Sequence, residues 1–340
     1  MVAPAGKSLT QLGIRHLRSR RSALLSIAIV GGVSLLALLT PLLPLERPDR
    51  TQTEFAYAAP GLGSDGFWVE GLAEDEAFLE KLWVWDRGLV KARRAVLGGR
   101  VLPPLMGRDG LGRCLMSRLL WGARMSLAVG FFAAVVSLVI GVSYGALSGY
   151  LGGRVDNLMM RAVDVFYGIP FIFVVIFAIT MLKGLTKEGE SATGLNSLVF
   201  FVVVALLYWL TMARVVRGQV VSLREHEFVM AARAIGASTF GILWRHILPN
   251  LISIVIVYLT LTIPKVMLFE AFLSFLGLGV EAPDVSWGVL IREAFDVLNP
   301  VQVFWWLVVW PSAFLALTLS SLNHLGDCLR DAFDPRTVTR

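Results

Sequence analysis

The segment from Phe228 to Asn250 reads FVMAARAIGASTFGILWRHILPN and lies between two long apolar runs. Its adjacent Ala231 and Ala232 carry no side chain beyond Cβ, so a helix through them can approach another surface closely. Gly236 permits a bend or a left-handed turn that other residues resist. The final Leu-Pro-Asn predicts a stop and a restart, because Pro and Asn suit the opening of the next helix. This build is typical of a docking element for a partner; the alternative is a solvated connector, since small residues are common in loops.

The spacing of these residues resembles the EAA loop of the permease subunits of ABC importers. Two alanines are followed after three residues by a glycine, and Leu-Pro comes twelve residues after that glycine. The match is closer to the dipeptide and oligopeptide branch (its C-type subunits), in which Met230 and His246 are usual departures from the general motif. The resemblance implies that an ATPase couples to this segment through the matching positions, which are Phe228, Val229, Ala231, Ala232, Arg233, Gly236, Ala237, Ser238, Arg245, His246, Leu248, Pro249 and Asn250.

The composition indicates an integral membrane protein. Of the 340 residues, 56% are hydrophobic and 16% charged, with a mean hydropathy of +0.69, whereas about a quarter of the residues in a soluble protein are charged. The net charge of +6 comes from basic residues in particular loops, which indicates orientation in a membrane rather than nucleic-acid binding. Cys114 and Cys328 are expected on opposite sides of the membrane, and the cysteines and histidines have no metal-site spacing.

Six apolar runs predict an all-α protein with six transmembrane helices and both termini on the cytoplasmic side. The predicted spans cover approximately residues 22–45, 126–149, 159–182, 196–213, 251–273 and 303–322. The first is long enough, at ~1.5 Å per residue, to cross a ~30 Å hydrocarbon core. A cleaved signal peptide is the alternative for this run, but the run is too long and the nearest Ala-x-Ala site, at Ala56, is too distant.

The polar segments divide the chain into regions. Residues 1–21 carry five basic residues and no acid, interleaved with apolar ones, which predicts an amphipathic helix on the inner membrane surface. Residues 46–118 predict an extracytoplasmic insertion with a helix around 74–97. That insertion is either a small structural subdomain or a docking surface for an external binding protein. Residues 119–340 hold the other five spans, and their basic loop, 214–250, is expected inside.

A glycine row lies within the second predicted span. The glycines recur every four residues, at Gly141, Gly145 and Gly149. Residues at this spacing share one side of a helix, and small residues there let two helix backbones approach closely in a bilayer. We therefore expect the row to be a helix-packing surface; the alternative is that it lines a solute pathway.

Charged and proline residues mark other positions in the spans. Pro170 predicts a kink in the third span, where Arg161 and Asp164 are spaced to pair. A charge at mid-membrane costs at least ~2.5–3.5 kcal/mol, so Lys265 is expected to face a water-filled cavity or a carboxylate, or to extend to the rim. Lys265 and Glu270 are therefore candidates for a role in the solute pathway or its gating.

Two more stretches resemble signatures of the peptide permeases. Residues 107–113 resemble Gly-Thr-Asp-x-x-Gly-Arg-Asp, with Arg108 in place of the Thr and Cys114 in place of the second Asp. Residues 270–279 resemble a second signature. The resemblance implies the type I ABC importer permease fold with a cytoplasmic coupling helix. Residues 46–105 form a longer insertion than in ordinary dipeptide permeases, and this length resembles the permeases for longer or modified peptides, such as the microcin C type.

The expected function follows from this resemblance and from the lack of a complete phosphate loop, since the glycine required before Gly6-Lys7-Ser8 is absent. We expect no cofactor on this chain, with ATP and Mg²⁺ bound by two separate ATPase subunits. The other implied partners are a homologous permease forming a heterodimer, an extracytoplasmic substrate-binding protein and membrane lipid. The chain is then the permease of an importer for peptides or related small solutes, in the cytoplasmic (inner) membrane of a bacterium or archaeon.

Two other functions compete with this expectation. An ion-coupled secondary transporter would work without an ATPase, but such folds usually show internal repeats and buried ion-coordinating groups, and neither is evident. An intramembrane serine protease would use Ser238 and His246 as a catalytic pair. These two residues lie on one short segment with no reason to meet, and Ser238 is predicted in a loop rather than in a span.

Overall fold

The computed structural model describes residues 17, 19–61, 69–70, 76–185, 193–280 and 284–333. The described chain is largely helical, as predicted, and the helices are α1 (Arg21–Leu39), α2 (Glu76–Lys81), α3 (Val84–Leu97), α4 (Leu115–Leu151), α5 (Gly153–Gly168), α6 (Phe171–Leu185), α7 (Thr193–Leu223), α8 (Glu227–Ala234), α9 (Thr239–Phe275), α10 (Trp287–Asp296) and α11 (Trp305–Phe333). Two short strands, β1 (Val69–Glu70) and β2 (Arg100–Val101), pair antiparallel. The predicted helix of residues 1–21 lies almost entirely outside the described residues.

Five described segments are long and apolar enough to cross a membrane. They are Arg21–Leu42, Leu115–Leu151, Phe200–Leu223, Thr239–Phe275 and Trp305–Phe333. A sixth span results if α5 and α6, bent by 79° relative to each other, count as one broken span. Pro170 lies at this break and so confirms the predicted kink, since proline cannot donate the helical hydrogen bond.

Helix α4 begins well before the predicted start of the second span near Ser126. Its first turns carry Arg118 and Arg124, which stopped the apolar run in the sequence. Each guanidinium is neutralised in the structure, Arg118 by Asp109 at 2.7 Å and Arg124 by Asp86 at 2.7 Å. The predicted end of the insertion at residue 118 therefore falls inside a helix. The predicted helix around 74–97 is likewise two helices, α2 and α3.

The chain divides into two compact units. One comprises Met1–Ala28, Val129–Leu268 and Leu319–Arg340, and the other comprises Ile29–Ala128 and Phe269–Thr318. We call them the first unit and the second unit. The first contains residues 228–250, and the second contains the whole of the predicted insertion, residues 46–118.

In the first unit, the glycine row of α4 packs against the backbone of α7. A Cβ atom added to Gly141, Gly145 or Gly149 would lie 2.8, 2.3 or 2.8 Å from the carbonyl oxygens of Trp209, Ala213 and Arg217, respectively. Side chains do not tolerate such distances to a backbone atom, so only glycine fits. The helix-packing interpretation of the row is confirmed.

The predicted pairing of Arg161 with Asp164 is wrong. Asp164 instead accepts a hydrogen bond from Arg214 of α7 at 2.6 Å, and the Arg214 guanidinium lies over the ring of Tyr167, 3.9 Å from its centroid. A pair within one helix was the only arrangement that local spacing could suggest. The actual partner is on another helix and is fifty residues away in the chain.

In the second unit, buried ion pairs hold the loop before α4. Arg108 forms two hydrogen bonds of 2.9 Å with the carboxylate of Glu46 and a third, of 2.8 Å, with the carbonyl of Gly112. Trp306 donates its indole N–H to the carbonyl of Arg108 at 3.2 Å. The arginine that replaces the signature threonine is therefore the centre of this loop.

A second ion cluster joins the same loop to α10. Asp109 accepts hydrogen bonds from the side chains of Arg113 and Arg118, both at 2.7 Å. Glu293 of α10 also binds both arginines, at 3.1 Å to Arg113 and 3.0 Å to Arg118. Two carboxylates and two guanidinium groups thus balance in charge. We call these four residues the buried ion cluster.

Candidate coupling segment

Helix α8 lies on the first unit with one face buried and the other exposed. Val229 and Ala232, three residues apart, are buried in a core cluster with residues of α4, α7 and α9. Their spacing puts them on one side of the helix. The other side carries Met230, which is 53% exposed, and Ile235, just after the helix, is 86% exposed. One side of the helix is therefore packed against the first unit, and the other side is exposed.

A left-handed turn at Gly236 ends α8. Gly236 has φ +80° and donates its N–H to the carbonyl of Arg233, while Ala237 donates to the carbonyl of Ala232. These two bonds form a Schellman motif, the common way in which a glycine closes a helix. A Cβ at Gly236 would meet no atom within 4 Å. The turn requires glycine for its backbone conformation and not for lack of space.

Ser238 begins α9 as its N-terminal cap. Its Oγ accepts a hydrogen bond from the backbone N–H of Gly241 at 3.2 Å, as serine commonly does at this position. His246 lies about two turns further along the same helix, where its carbonyl accepts from the side chain of Asn250 at 2.7 Å. Both residues have structural partners, and the described contacts do not join them as a catalytic pair.

The predicted stop at Leu248-Pro249-Asn250 is wrong, because α9 runs through these residues without a break. A π-helical turn, Leu243–Ile247, directly precedes Leu248 and Pro249. Proline lacks the N–H that an α-helix would use at this point, and the wider turn accommodates that loss. Leu248 packs against the core cluster, whereas Pro249 is exposed.

The exposed face of the segment combines apolar side chains with charge. Phe228 is 38% exposed, and Arg233 and Arg245 are exposed. The Arg233 guanidinium lies 5.4 Å from the centroid of the Tyr150 ring at the end of α4, which ties α8 to that helix. Ala231 is exposed in the middle of this surface and presents no long side chain. Such a surface can accept a close-fitting partner.

Polar contacts behind the segment connect α4, α5 and α7. Asp156 of α5 accepts hydrogen bonds from Arg217 of α7 at 2.8 and 2.6 Å, and from Ser148 of α4 at 2.5 Å. Arg224, at the end of α7, donates to the carbonyl of Gly149 at 3.0 Å. These contacts join three helices at the level where α7 leads into α8. Sequence reasoning missed them, because Asp156 and Arg217 are sixty-one residues apart.

The two candidates for a solute pathway lie in different environments. The side chain of Lys265 is exposed, and no described carboxylate pairs with it. Its carbonyl accepts a hydrogen bond from Tyr208 at 3.4 Å. Glu270, one and a half turns later in the chain, is fully buried. A role for either residue in the pathway stays a prediction.

Glu270 is held by two serines, one on its own helix and one on α4. Its carboxylate accepts from Ser274 at 2.7 Å and from Ser126 of α4 at 3.2 Å. Ser126 in turn accepts from the backbone N–H of Trp287, the first residue of α10, at 3.2 Å, and Ser286 caps the same helix. A buried carboxyl requires such partners. These contacts favour a structural role for Glu270 in the second unit.

Comparison with known proteins provides an independent line of information. Residues 141–339 match the family described as "Binding-protein-dependent transport system inner membrane component". The chain is 41% identical over 239 residues to the dipeptide transport system permease protein DppC of Bacillus subtilis (strain 168), covering 69% of this chain and 71% of that protein. It is 38% identical over 331 residues to the oligopeptide transport system permease protein OppC of Escherichia coli (strain K12), covering 97% of this chain and 92% of that protein.

Among solved structures, the chain is similar to one described as inward facing conformations of the MetNI methionine ABC transporter, in its CY5 native crystal form. The TM-score is 0.49 and the sequence identity 21%, over 66% of this chain and 98% of that chain.

Proposed function

The chain belongs to the family of binding-protein-dependent transport system inner membrane components, the permeases of ABC transporters, and from this premise we propose that it is one half of the membrane channel of a peptide importer. It is a multi-pass membrane protein, and its described spans form the membrane part of the transporter. Its partners, in this proposal, are a homologous permease subunit, two ATPase subunits that bind ATP and Mg²⁺, and an external binding protein that delivers the solute.

The observation that carries the coupling proposal is the exposed face of α8 and its capping turn. We define the coupling segment as residues 227–238. In this proposal, the exposed side of the coupling segment binds in a groove on the ATPase. Its buried side packs against α4 and α7, so a movement of the groove also moves these two helices. ATP-driven closure of the ATPases then shifts the spans between inward-facing and outward-facing states, because the two states make different contacts.

The peptide substrate is proposed from the relatives, since the printed names of DppC and OppC refer to dipeptide and oligopeptide transport. In this proposal, the binding protein selects the peptide and the permease provides the passage. The coupling segment lies on the cytoplasmic side and both termini lie there too. The basic residues that flank α8 support this orientation, because arginine and lysine favour the cytoplasmic ends of spans.

The decisive experiment changes the shape of the coupling turn and leaves its surroundings intact. Gly236→Val places a β-branched residue at φ +80°, a conformation that such residues strongly resist. We expect the complex with its partner permease and ATPases to assemble in proteoliposomes, with uptake of labelled trialanine lost and ATPase activity no longer stimulated by the loaded binding protein. The matched control is Gly218→Val, because Gly218 lies in α7 with no atom within 4 Å of an added Cβ and without a positive φ.

Normal uptake by the Gly236→Val complex would contradict the coupling role. Uptake that persists in proteoliposomes without any ATPase would instead support an ion-coupled transporter. The serine protease hypothesis required the Ser238 hydroxyl as its nucleophile. That hydroxyl instead caps a helix by accepting a hydrogen bond from the N–H of Gly241, which disfavours a protease.

A further inference from the structure

Helix α3 presents an unbroken apolar face to its surroundings. At 100° per residue, an arc of roughly 140° around this helix contains only apolar residues. In order around the arc these are Leu89, Val96, Trp85, Ala92, Gly88, Ala95 and Val84. Val84 is 84% exposed, Trp85 74% and Val96 81%. A continuous exposed apolar face of this kind marks a binding surface.

The opposite side of α3 attaches the helix to the end of the first span. Arg93 donates to the carbonyl oxygens of Leu43 and Leu45 at 2.8 and 3.4 Å, directly after the apolar segment that ends at Leu42. Asp86 binds the guanidinium of Arg124 through both carboxylate oxygens, at 2.7 and 2.9 Å. Two charged contacts therefore fix the height and the rotation of α3.

Both attachment points lie next to the end of an apolar segment. No charged residue occurs in the sequence from 125 to 153, so the hydrocarbon-spanning part of α4 begins just after Arg124. The half of the first span that leads to Leu43 exposes Leu35 and Leu38, as is expected of side chains that face lipid. The ends of apolar spans mark the level where polar headgroups meet hydrocarbon, and the contacts of Arg93 and Asp86 hold α3 at that level.

The charges of α3 complete the pattern of a helix that lies in such an interface. Its acid, Asp86, is neutralised by Arg124, whereas Arg94, Arg87 and Lys91 lie together on the side of the helix that adjoins the Val84 edge of the apolar arc. Interfacial helices combine basic residues on one face with Trp and aliphatic residues on the other. Tryptophan is enriched at this level of a membrane, and basic residues attract anionic headgroups.

We propose that α3 is an interfacial helix that inserts its Trp85–Val96 face into the lipid surface where the first span ends. The helix then fixes the height of the second unit relative to the membrane and prevents the loop that carries the buried ion cluster from tilting. A protein partner on this face is the competing occupant. The lipid surface fits better, because the face is purely apolar and lies at the membrane edge, whereas a binding-protein surface would need polar contacts there.

The test is a measurement of depth by spin labelling of the assembled transporter in nanodiscs of phosphatidylcholine and phosphatidylglycerol. A nitroxide is attached at Trp85→Cys or Val96→Cys on the apolar arc, and at Lys91→Cys as the matched control on the basic side of the same helix. All three positions are exposed, so labelling leaves the packing intact. The native cysteines are buried, and the unsubstituted protein measures their background.

We expect oxygen, which partitions into lipid, to relax the labels at residues 85 and 96, and the water-soluble nickel chelate to relax the label at residue 91. The ratio of oxygen to nickel collisions should be several-fold higher on the apolar arc. High nickel accessibility at all three positions would overturn the proposal, since the face would be in water. Low accessibility to both reagents at residues 85 and 96, or a change on adding the binding protein, would also overturn it and would assign the face to a protein partner.

Discussion

The coupling segment and the buried ion cluster use arginine in opposite ways. In the second unit, Arg118 is almost completely buried and its guanidinium is bound by two carboxylates. In the coupling segment and the turns that follow it, Arg233 and Arg245 are exposed. The first arrangement fixes a loop within one chain, because a buried charge requires a partner there. The second leaves charged and apolar groups available to another chain. The buried ion cluster therefore stabilises the fold, and the coupling segment provides a surface for a partner.

The largest expected effect is that of Arg118→Leu, which removes the cation between Asp109 and Glu293. Breaking a buried pair by removing one partner costs about 3–5 kcal/mol when the remaining charge is left without compensation. Arg113 still binds both carboxylates in this variant and the Glu293 side chain is 36% exposed, so we expect a loss near the lower end of that range. We expect a marked drop in the thermal unfolding temperature of the purified complex. The matched change Arg245→Leu, at an exposed position, should leave that temperature nearly unchanged and reduce stimulated ATPase activity. Equal effects on stability in the two variants would remove the contrast between the regions.

A smaller effect is expected from Gly145→Ala in the glycine row. The added Cβ would lie 2.3 Å from the carbonyl oxygen of Ala213, so α4 and α7 must separate, and such overpacking costs about 1–3 kcal/mol. Gly218→Ala, on the exposed side of α7, should be neutral or slightly stabilising, since alanine favours helix. Thermal unfolding of the two variants measures the difference. A stable Gly145→Ala protein would show that the contact between the two backbones is loose.

Ser238→Ala should have a modest effect on stability and none on chemistry. Loss of an N-cap costs about 1 kcal/mol, and among the described residues the hydroxyl contacts the N–H of Gly241. We expect a slightly lower unfolding temperature with peptide uptake retained. Abolished activity in a variant of unchanged stability would point to a reacting hydroxyl and would revive the protease hypothesis.

The smallest effect is expected at Cys114, just before α4. Burial raises the pKa of this thiol to about 11, so it remains protonated at pH 7.5 and its thiolate fraction rises only as the pH approaches that value. Maleimide should leave Cys114 unlabelled in the folded complex and should label it after denaturation in detergent. Rapid labelling at pH 7.5 would mean that the loop around the buried ion cluster opens more readily than its contacts indicate.

Features that depend on neighbouring residues could be predicted from the sequence. The glycine row could be recognised because its members recur at a fixed spacing within one helix. The kink could be predicted because it lies at a proline, Pro170. Gly236 was correctly placed at a turn, although only the structure shows its Schellman motif. Predictions failed where a partner is remote in the chain. Asp164 pairs with Arg214, and the two arginines at the start of α4 pair with acids outside that helix. A charge that ends an apolar run in the sequence can therefore lie within the helix.

The candidate site was also only partly visible in the sequence. The motif located the exposed helix and its turn, because small residues at fixed spacing identify both. The contacts of Asp156 with Arg217 and Ser148 were missed, since no local pattern connects the three helices involved. The continuous course of α9 through Pro249 was missed for another reason, namely that a π-helical turn leaves no mark in the sequence.

The glycine row limits how the helices of the first unit can move. Each glycine faces one carbonyl oxygen of α7, and the next pair in the row lies one turn further along both helices. Sliding by a fraction of a turn would bring the larger side chains between the glycines against those oxygens. The contact can therefore shift only in four-residue steps of about 6 Å, at ~1.5 Å per residue, or not at all. In any smaller rearrangement, the packed parts of α4 and α7 must move together as one rigid body.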